Sequence, residues 1–182
     1  MGLGNTDRQF GPVARALHWW SALLVIGAIA LIEAKGWFEK GSDTRALLGL
    51  LHMQAGALIL LLTVPRIVWR FTQPLPPITP APPPWQDGLA HLMHFVFYAA
   101  LIALPISGVL MKQAHGDAVV LLGMSLPALI APDPGLREYL HELHELLGNA
   151  MIALIVAHVV AAVVHHRVQR DDTLTRMLPG KG

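Results

Sequence analysis

The chain has 182 residues, of which 54% are hydrophobic and 14% charged, with a formal net charge of +1 and no cysteine. Soluble domains carry ~25% charged residues, so the charges are too few to clothe a water-soluble globule of this length, and the mean hydropathy of +0.51 agrees. The small net charge argues against a nucleic-acid footprint, and the lack of cysteine excludes disulfides, thiolate zinc sites, cysteine-ligated iron–sulfur clusters and covalent c-type haem.

The first uncharged run, Ala16 to Ile32, is 17 positions long and carries His18 and Ser21 near its entry. Ala28-Ile29-Ala30 has a faint look of a signal-peptide cleavage site. The run is longer than a usual signal core and holds a histidine, so a retained helix over roughly 14–34 is expected. The second run, Ala46 to Pro65, is 20 long, continues past Arg66 to Trp69 and contains His52. It predicts a helix over roughly 45–70.

Residues 72–87 hold seven of the fourteen prolines, which predicts a stiff, polyproline-like linker. Gly88 to Met111, 24 uncharged positions with His91 and His94, predicts a helix over 88–112. Residues 112–143 read as the longest loop. Its apolar piece, Val119 to Ile130, is too short to span and is broken by Pro127, so it should lie at the interface or pack over helix ends. Leu146 to Val164, 19 uncharged positions, predicts a helix over 142–167 with His144 and His158 on it.

A helix needs ~20 residues to cross ~30 Å of hydrocarbon, and none of the runs alternates as a barrel strand would. The fold class is therefore all-α, a four-helix transmembrane bundle read as one membrane domain, 1–182. With the N-terminus inside, the inner segments hold eight basic residues (Arg8, Arg15, Arg66, Arg70, Arg167, Arg170, Arg176, Lys181) and the outer loops five (Lys35, Lys40, Arg45, Lys112, Arg137). The positive-inside rule thus places both termini in the cytoplasm.

Ten histidines stand out in so apolar a chain, because polar groups inside a bilayer are costly and tend to be functional. His144 and His158 are 14 residues apart, so they lie ~40° from one another around the helix and ~21 Å apart along it. One helix presents an imidazole near each membrane surface. His18 matches His158 in depth and His52 matches His144. Two facing imidazoles, with no thiolate or carboxylate help, suit bis-histidine haem b. Gly56 and Gly148, each four residues after a histidine, could admit a macrocycle edge. Hydrogen bonds to neighbouring helices are the plainer use of a membrane histidine, but four histidines in two level-matched pairs favour the haem. No His-Glu-x-x-His zinc motif, phosphate loop or nucleophile elbow is present.

Together, several segments resemble the bacterial cytochrome b561 family of four-helix dihaem inner-membrane cytochromes. They are Leu17-His18-Trp19, His52-Met53-Gln54-Ala55-Gly56, Leu89-Ala90-His91-Leu92-Met93-His94, Ala103-Leu104-Pro105-Ile106-Ser107-Gly108, His144-Glu145 with His158 and His165-His166, and the tail from Asp172 to Pro179. The resemblance covers almost the whole chain.

It implies two haem b groups with axial ligands at His18, His52, His144 and His158; depth assigns the pairs His18/His158 and His52/His144. It also implies localisation in the bacterial inner membrane and electron exchange with ubiquinone, and, in one form of the family's activity, oxidation of superoxide at the outer face. His94, His165 and Ser21 are the candidates to hold a quinone or, for His94, a haem propionate. The outer loops carry eight acids against five bases, so any cationic funnel for superoxide must be local. Two alternatives remain at this point. One is a cytochrome b anchor subunit of a larger membrane dehydrogenase, such as a hydrogenase, docking its partner on 112–143. The other is a haem-free, histidine-lined transporter or proton carrier.

Overall fold

A computed structural model describes residues 2–178. Lys181 of the inner basic set and Pro179 of the tail motif lie outside the described residues. Four long helices dominate: α1 Pro12–Lys35, α2 Asp43–Thr72, α3 Pro84–Ala114 and α4 Pro134–Val164. Each is long and apolar enough to cross a membrane. Only 6–17% of each most apolar stretch is buried within the protein, so the outward faces are built for lipid rather than water.

Helix starts follow local chemistry. Proline stands in the first turn of α1, α3 and α4, where its missing N–H is no loss and its φ suits the helix. Ser42 caps α2 by accepting from the Arg45 N–H at 3.3 Å, with Asp43 in the first turn. Asp133 caps α4, accepting from the Leu136 N–H at 3.0 Å.

Three expected boundaries are corrected. The fourth helix begins at Pro134 rather than 142, because the Asp133–Pro134 start outweighs the charges of its first turns. The third begins at Pro84 rather than 88, for the same proline reason. At the other end of α4 the regular helix stops at Val164 and gives way to a π-helical turn, His165–Gln169, closed by Arg170 at φ 58°.

The shortened loop between α3 and α4 packs over helix ends. Its two short strands, β1 Val120–Leu121 and β2 Met124–Ser125, pair antiparallel around Leu122-Gly123. Both turn residues have positive φ, 51° and 82°, the conformation that matches the twist of a tight hairpin. Gln54 of α2 donates to the Val120 carbonyl (2.9 Å) and accepts from the Leu122 N–H (2.7 Å). Gln113 of α3 does the same with the Pro127 carbonyl (2.8 Å) and Leu129 N–H (3.0 Å). Val119 is fully buried beneath.

The opposite end gathers the N-terminal segment, the proline linker and the tail. Asp172 exchanges two hydrogen bonds with Thr79, 2.8 and 3.1 Å. Trp19 Nε1 donates to the Met177 carbonyl at 2.9 Å and Arg15 to that of Leu178 at 2.9 Å.

The core holds Ala28, Ala55, Ile59, Ala100, Leu101 and Met151. An alanine from each of α1, α2 and α3 permits close crossing, the usual means of packing helices in lipid. α1 packs on α2, α2 on α3 and α3 on α4, while α4 makes little backbone contact with α1 or α2. An apolar cleft lined by Ile26, Ile29, Ile152, Ile155 and Val156 runs between α1 and α4. The histidines reach across this separation.

Candidate functional site

His52 of α2 and His144 of α4 face each other at the hairpin end, ring centres 6.1 Å apart and planes crossed at 79°. His18 of α1 and His158 of α4 do so at the terminal end, 6.2 Å apart at 53°. Two metal–nitrogen bonds of about 2 Å in line, plus about 1.1 Å from each nitrogen to its ring centre, would set the centres about 6.2 Å apart. Separations of that size leave room for a metal between the rings of each couple, and His94 stands at the same 6.1 Å from His158.

Hydrogen bonds decide which nitrogen is free at the hairpin end. His52 Nδ1 lies 2.8 Å from the Ala28 carbonyl. A carbonyl only accepts, so Nδ1 carries the proton and the Nε2 lone pair is available. His144 Nδ1 lies 3.0 Å from Ser107 Oγ, whose one proton goes to the Leu104 carbonyl at 2.9 Å. The hydroxyl thus accepts, and His144 is also left with a free Nε2. Hydrogen bonds of this kind to Nδ1 orient imidazole ligands. The fit of a haem to this donor set rests on the His52 tautomer fixed by the Ala28 carbonyl, on the Ser107 hydroxyl beside His144 Nδ1, and on the apolar cleft beside α4.

Gly108 gives the ring room: a Cβ there would meet His144 Cε1 at 3.3 Å, and the imidazole would have to give by a few tenths of an ångström. Gly56 has only Pro105 Cβ at 4.0 Å near such a position and Gly148 has open space. Sequence reasoning missed the roles of Ser107 and Gly108. They lie in a segment noted for its resemblance, but a serine and a glycine beside a proline announce no partner 37 residues away.

At the terminal end the surroundings are richer. His94 of α3 lies 6.1 Å from His158, centre to centre, and Phe97 lies 5.4 Å from it. Arg66 Nη2 lies 3.0 Å from His18 Nδ1, and its guanidinium sits over the Tyr98 ring at 5.6 Å. Arg66 was counted only as an inner basic residue. The signal that finds it is spacing: it follows His52 by 14 residues, the interval that separates His144 from His158.

Ser21 is buried and donates to the Leu17 carbonyl at 2.6 Å, so its proton is committed within α1. His165, in the π-helical turn, is paired through Nδ1 with buried Asp171 at 2.5 Å. Burial acts to raise the Asp171 carboxyl, but hydrogen bonds from His165 and Thr173 outweigh it and hold the group below its ordinary value. His91 is exposed and lies 2.8 Å from the carbonyl of its own helix at Asp87. Among the described residues no group of three or more histidines and carboxylates forms a metal-ion site.

Facing imidazoles in a four-span bundle define the architecture of a membrane cytochrome. A family model described as prokaryotic cytochrome b561 matches residues 9–180, and the chain belongs to that family. It is 36% identical over 171 residues to cytochrome b561 homolog 1 of Escherichia coli K12, covering 94% of this chain and 97% of the relative. It is 36% identical over 174 residues to a probable superoxide oxidase CybB of Yersinia pestis (96% and 98%). It is 32% identical over 186 residues to cytochrome b561 homolog 2 of Escherichia coli K12 (98% and 95%). The protein is thus a multi-pass bacterial inner-membrane electron-transfer protein of a family that binds haem b.

Proposed function

We propose that the protein is a dihaem b-type cytochrome that oxidises a periplasmic one-electron donor, superoxide first among them, and reduces ubiquinone. The observation that carries this reading is the pair of crossed imidazole couples, 6.1 and 6.2 Å, at the two ends of α4. His52 and His144 would hold one haem and His18 and His158 the other. When bound, the haems supply one-electron steps across the bilayer.

The residues around them would do the rest. Ala28 and Ser107 keep the outer imidazoles in the ligating tautomer. The Gln54- and Gln113-clamped hairpin shields the outer helix ends from bulk water. Lys35 and Arg45 stand together at this end, the Arg45 guanidinium donating to the Lys35 and Phe38 carbonyls at 2.9 and 2.8 Å, on a face that is acidic overall. A small anion such as superoxide would be drawn to them. Asp117 pairs with Lys112, and among the described residues no carboxylate forms an ion pair with Lys35 or Arg45. The overall reaction balances as two superoxide anions and two protons with one quinone giving two dioxygen molecules and one quinol. His94 and His165 would hold quinone or its protons at the terminal end.

The test is direct. Purified protein should show b-type absorption bands with two haems per chain, superoxide should reduce them, and a ubiquinone analogue should reoxidise them. A colourless protein after haem-replete expression sinks the reading. Haems that superoxide leaves oxidised sink the donor assignment alone. Reduction only in the presence of a copurifying dehydrogenase would instead favour the anchor-subunit role.

A further inference from the structure

Arg66 is a half-buried cation six residues, about 9 Å, before the end of α2. A cation drawn partly out of water is normally met by a counter-charge. Among the described residues no carboxylate forms an ion pair with it; the ion pairs at the terminal end involve His91–Asp87 and His165–Asp171 instead. Its side chain lies between His18 Nδ1 at 3.0 Å and the Tyr98 ring at 5.6 Å.

The contact with His18 is chemically one-sided. A guanidinium has five donors and no acceptor, so His18 Nδ1 must accept, and the neutral ring then carries its proton on Nε2. That is the opposite tautomer from His52 and His144, whose Nδ1 protons are held by the Ala28 carbonyl and the Ser107 hydroxyl. A histidine whose Nε2 lone pair is given to iron normally keeps a proton on Nδ1 and turns that proton toward an acceptor. Arg66 offers none. With iron on His18, the two donors would confront each other, and the guanidinium would need another acceptor close by. Haem itself brings one, because a porphyrin of the b type carries two propionate carboxylates.

We propose that Arg66 holds a propionate of the haem bound by His18 and His158, exchanging its contact with His18 for that carboxylate. The inference rests on the dihaem reading. It makes Arg66 the counter-charge that an anionic cofactor meets on this side of the bundle. A planar, permanently charged fork suits a carboxylate, and a lysine ammonium can meet the same carboxylate as a point charge. It also explains why α2 carries a cation, rather than a second histidine, 14 residues after His52.

The experiment compares wild-type holoprotein with Arg66→Gln and Arg66→Lys by haem count and by resonance Raman spectra of the propionate bending modes. One haem's propionate mode should shift to its unbonded frequency in Arg66→Gln and return toward wild type in Arg66→Lys, while the modes of the other haem stay fixed. Loss of one haem in Arg66→Gln with its retention in Arg66→Lys supports the same contact. Two haems with propionate modes identical in wild type and Arg66→Gln overturn it alone. So does loss of one haem in both variants when circular dichroism shows the helices intact. A wild type without two haems refutes the dihaem reading and the contact together.

Discussion

Ser107 shows how much one hydroxyl can settle. It lies between the Leu104 carbonyl, to which it donates, and His144 Nδ1, so a single side chain helps to orient the imidazole and to leave its far nitrogen free. Replacing it by alanine removes an interaction worth about 1 kcal/mol and the device that aligns the ring. In Ser107→Ala we expect weaker retention of one haem, roughly ten- to a hundredfold in affinity. Its reduction potential should rise, because the imidazole becomes a poorer donor, and the second haem should be unmoved. Redox titration of the absorption bands checks this. Equal shifts in both haems, or none, would remove Ser107 from the outer site. Gly108 acts beside it by absence: a side chain would press on His144 Cε1 at 3.3 Å.

The end of α4 sets the next scale. The helix leaves its regular path after Val164 in a π-helical turn, and π-turns concentrate at functional places. Here the turn brings His165 onto Asp171, and the tail that follows is laced to the proline linker by Asp172 and Thr79. Asp171 has a folded-state pKa below its ordinary 3.8. Such a group stabilises the fold above its unfolded pKa and loses that contribution as pH falls through the folded value. The tail should therefore stay docked at neutral pH and loosen on acidification below about 3.8. Asp171→Asn should abolish that acid-dependent step and cost about 2 kcal/mol at pH 7, as loss of a hydrogen bond to a charged group does. Limited proteolysis of the tail across pH reads both effects. A wild-type tail equally protected at pH 3 and pH 7 would count against the linkage.

At the scale of the molecule, the two ends of the bundle are different. One carries the glutamine-clamped hairpin; the other gathers the N-terminal segment, linker and tail. The charge bias of the sequence predicts that the second end is cytoplasmic. The absence of cysteine makes this easy to test. A membrane-impermeant thiol reagent applied to spheroplasts should label Ser125→Cys in the hairpin and leave Arg8→Cys unlabelled until the membrane is opened. The reverse pattern would invert the orientation and move the proposed donor face to the cytoplasm.

The sequence alone determined the four spans, because hydrocarbon thickness demands long uncharged runs and few other folds supply them. It also determined which histidines share a depth, since helical rise and span order set depth without any knowledge of packing. Helix starts were legible in principle from Asp133–Pro134 and Pro84, but charge in the first turns of α4 obscured one of them. Tertiary structure decided what depth cannot: that the rings at each level come within 6.2 Å, that α4 stands apart from α1 and α2, and which partners His52, His144 and His18 turn toward. Those facts depend on lateral packing and on hydrogen bonds between residues distant in sequence, such as His52 with Ala28, His144 with Ser107 and His18 with Arg66. A linear pattern records the height of a side chain in the membrane but not the neighbour it turns toward.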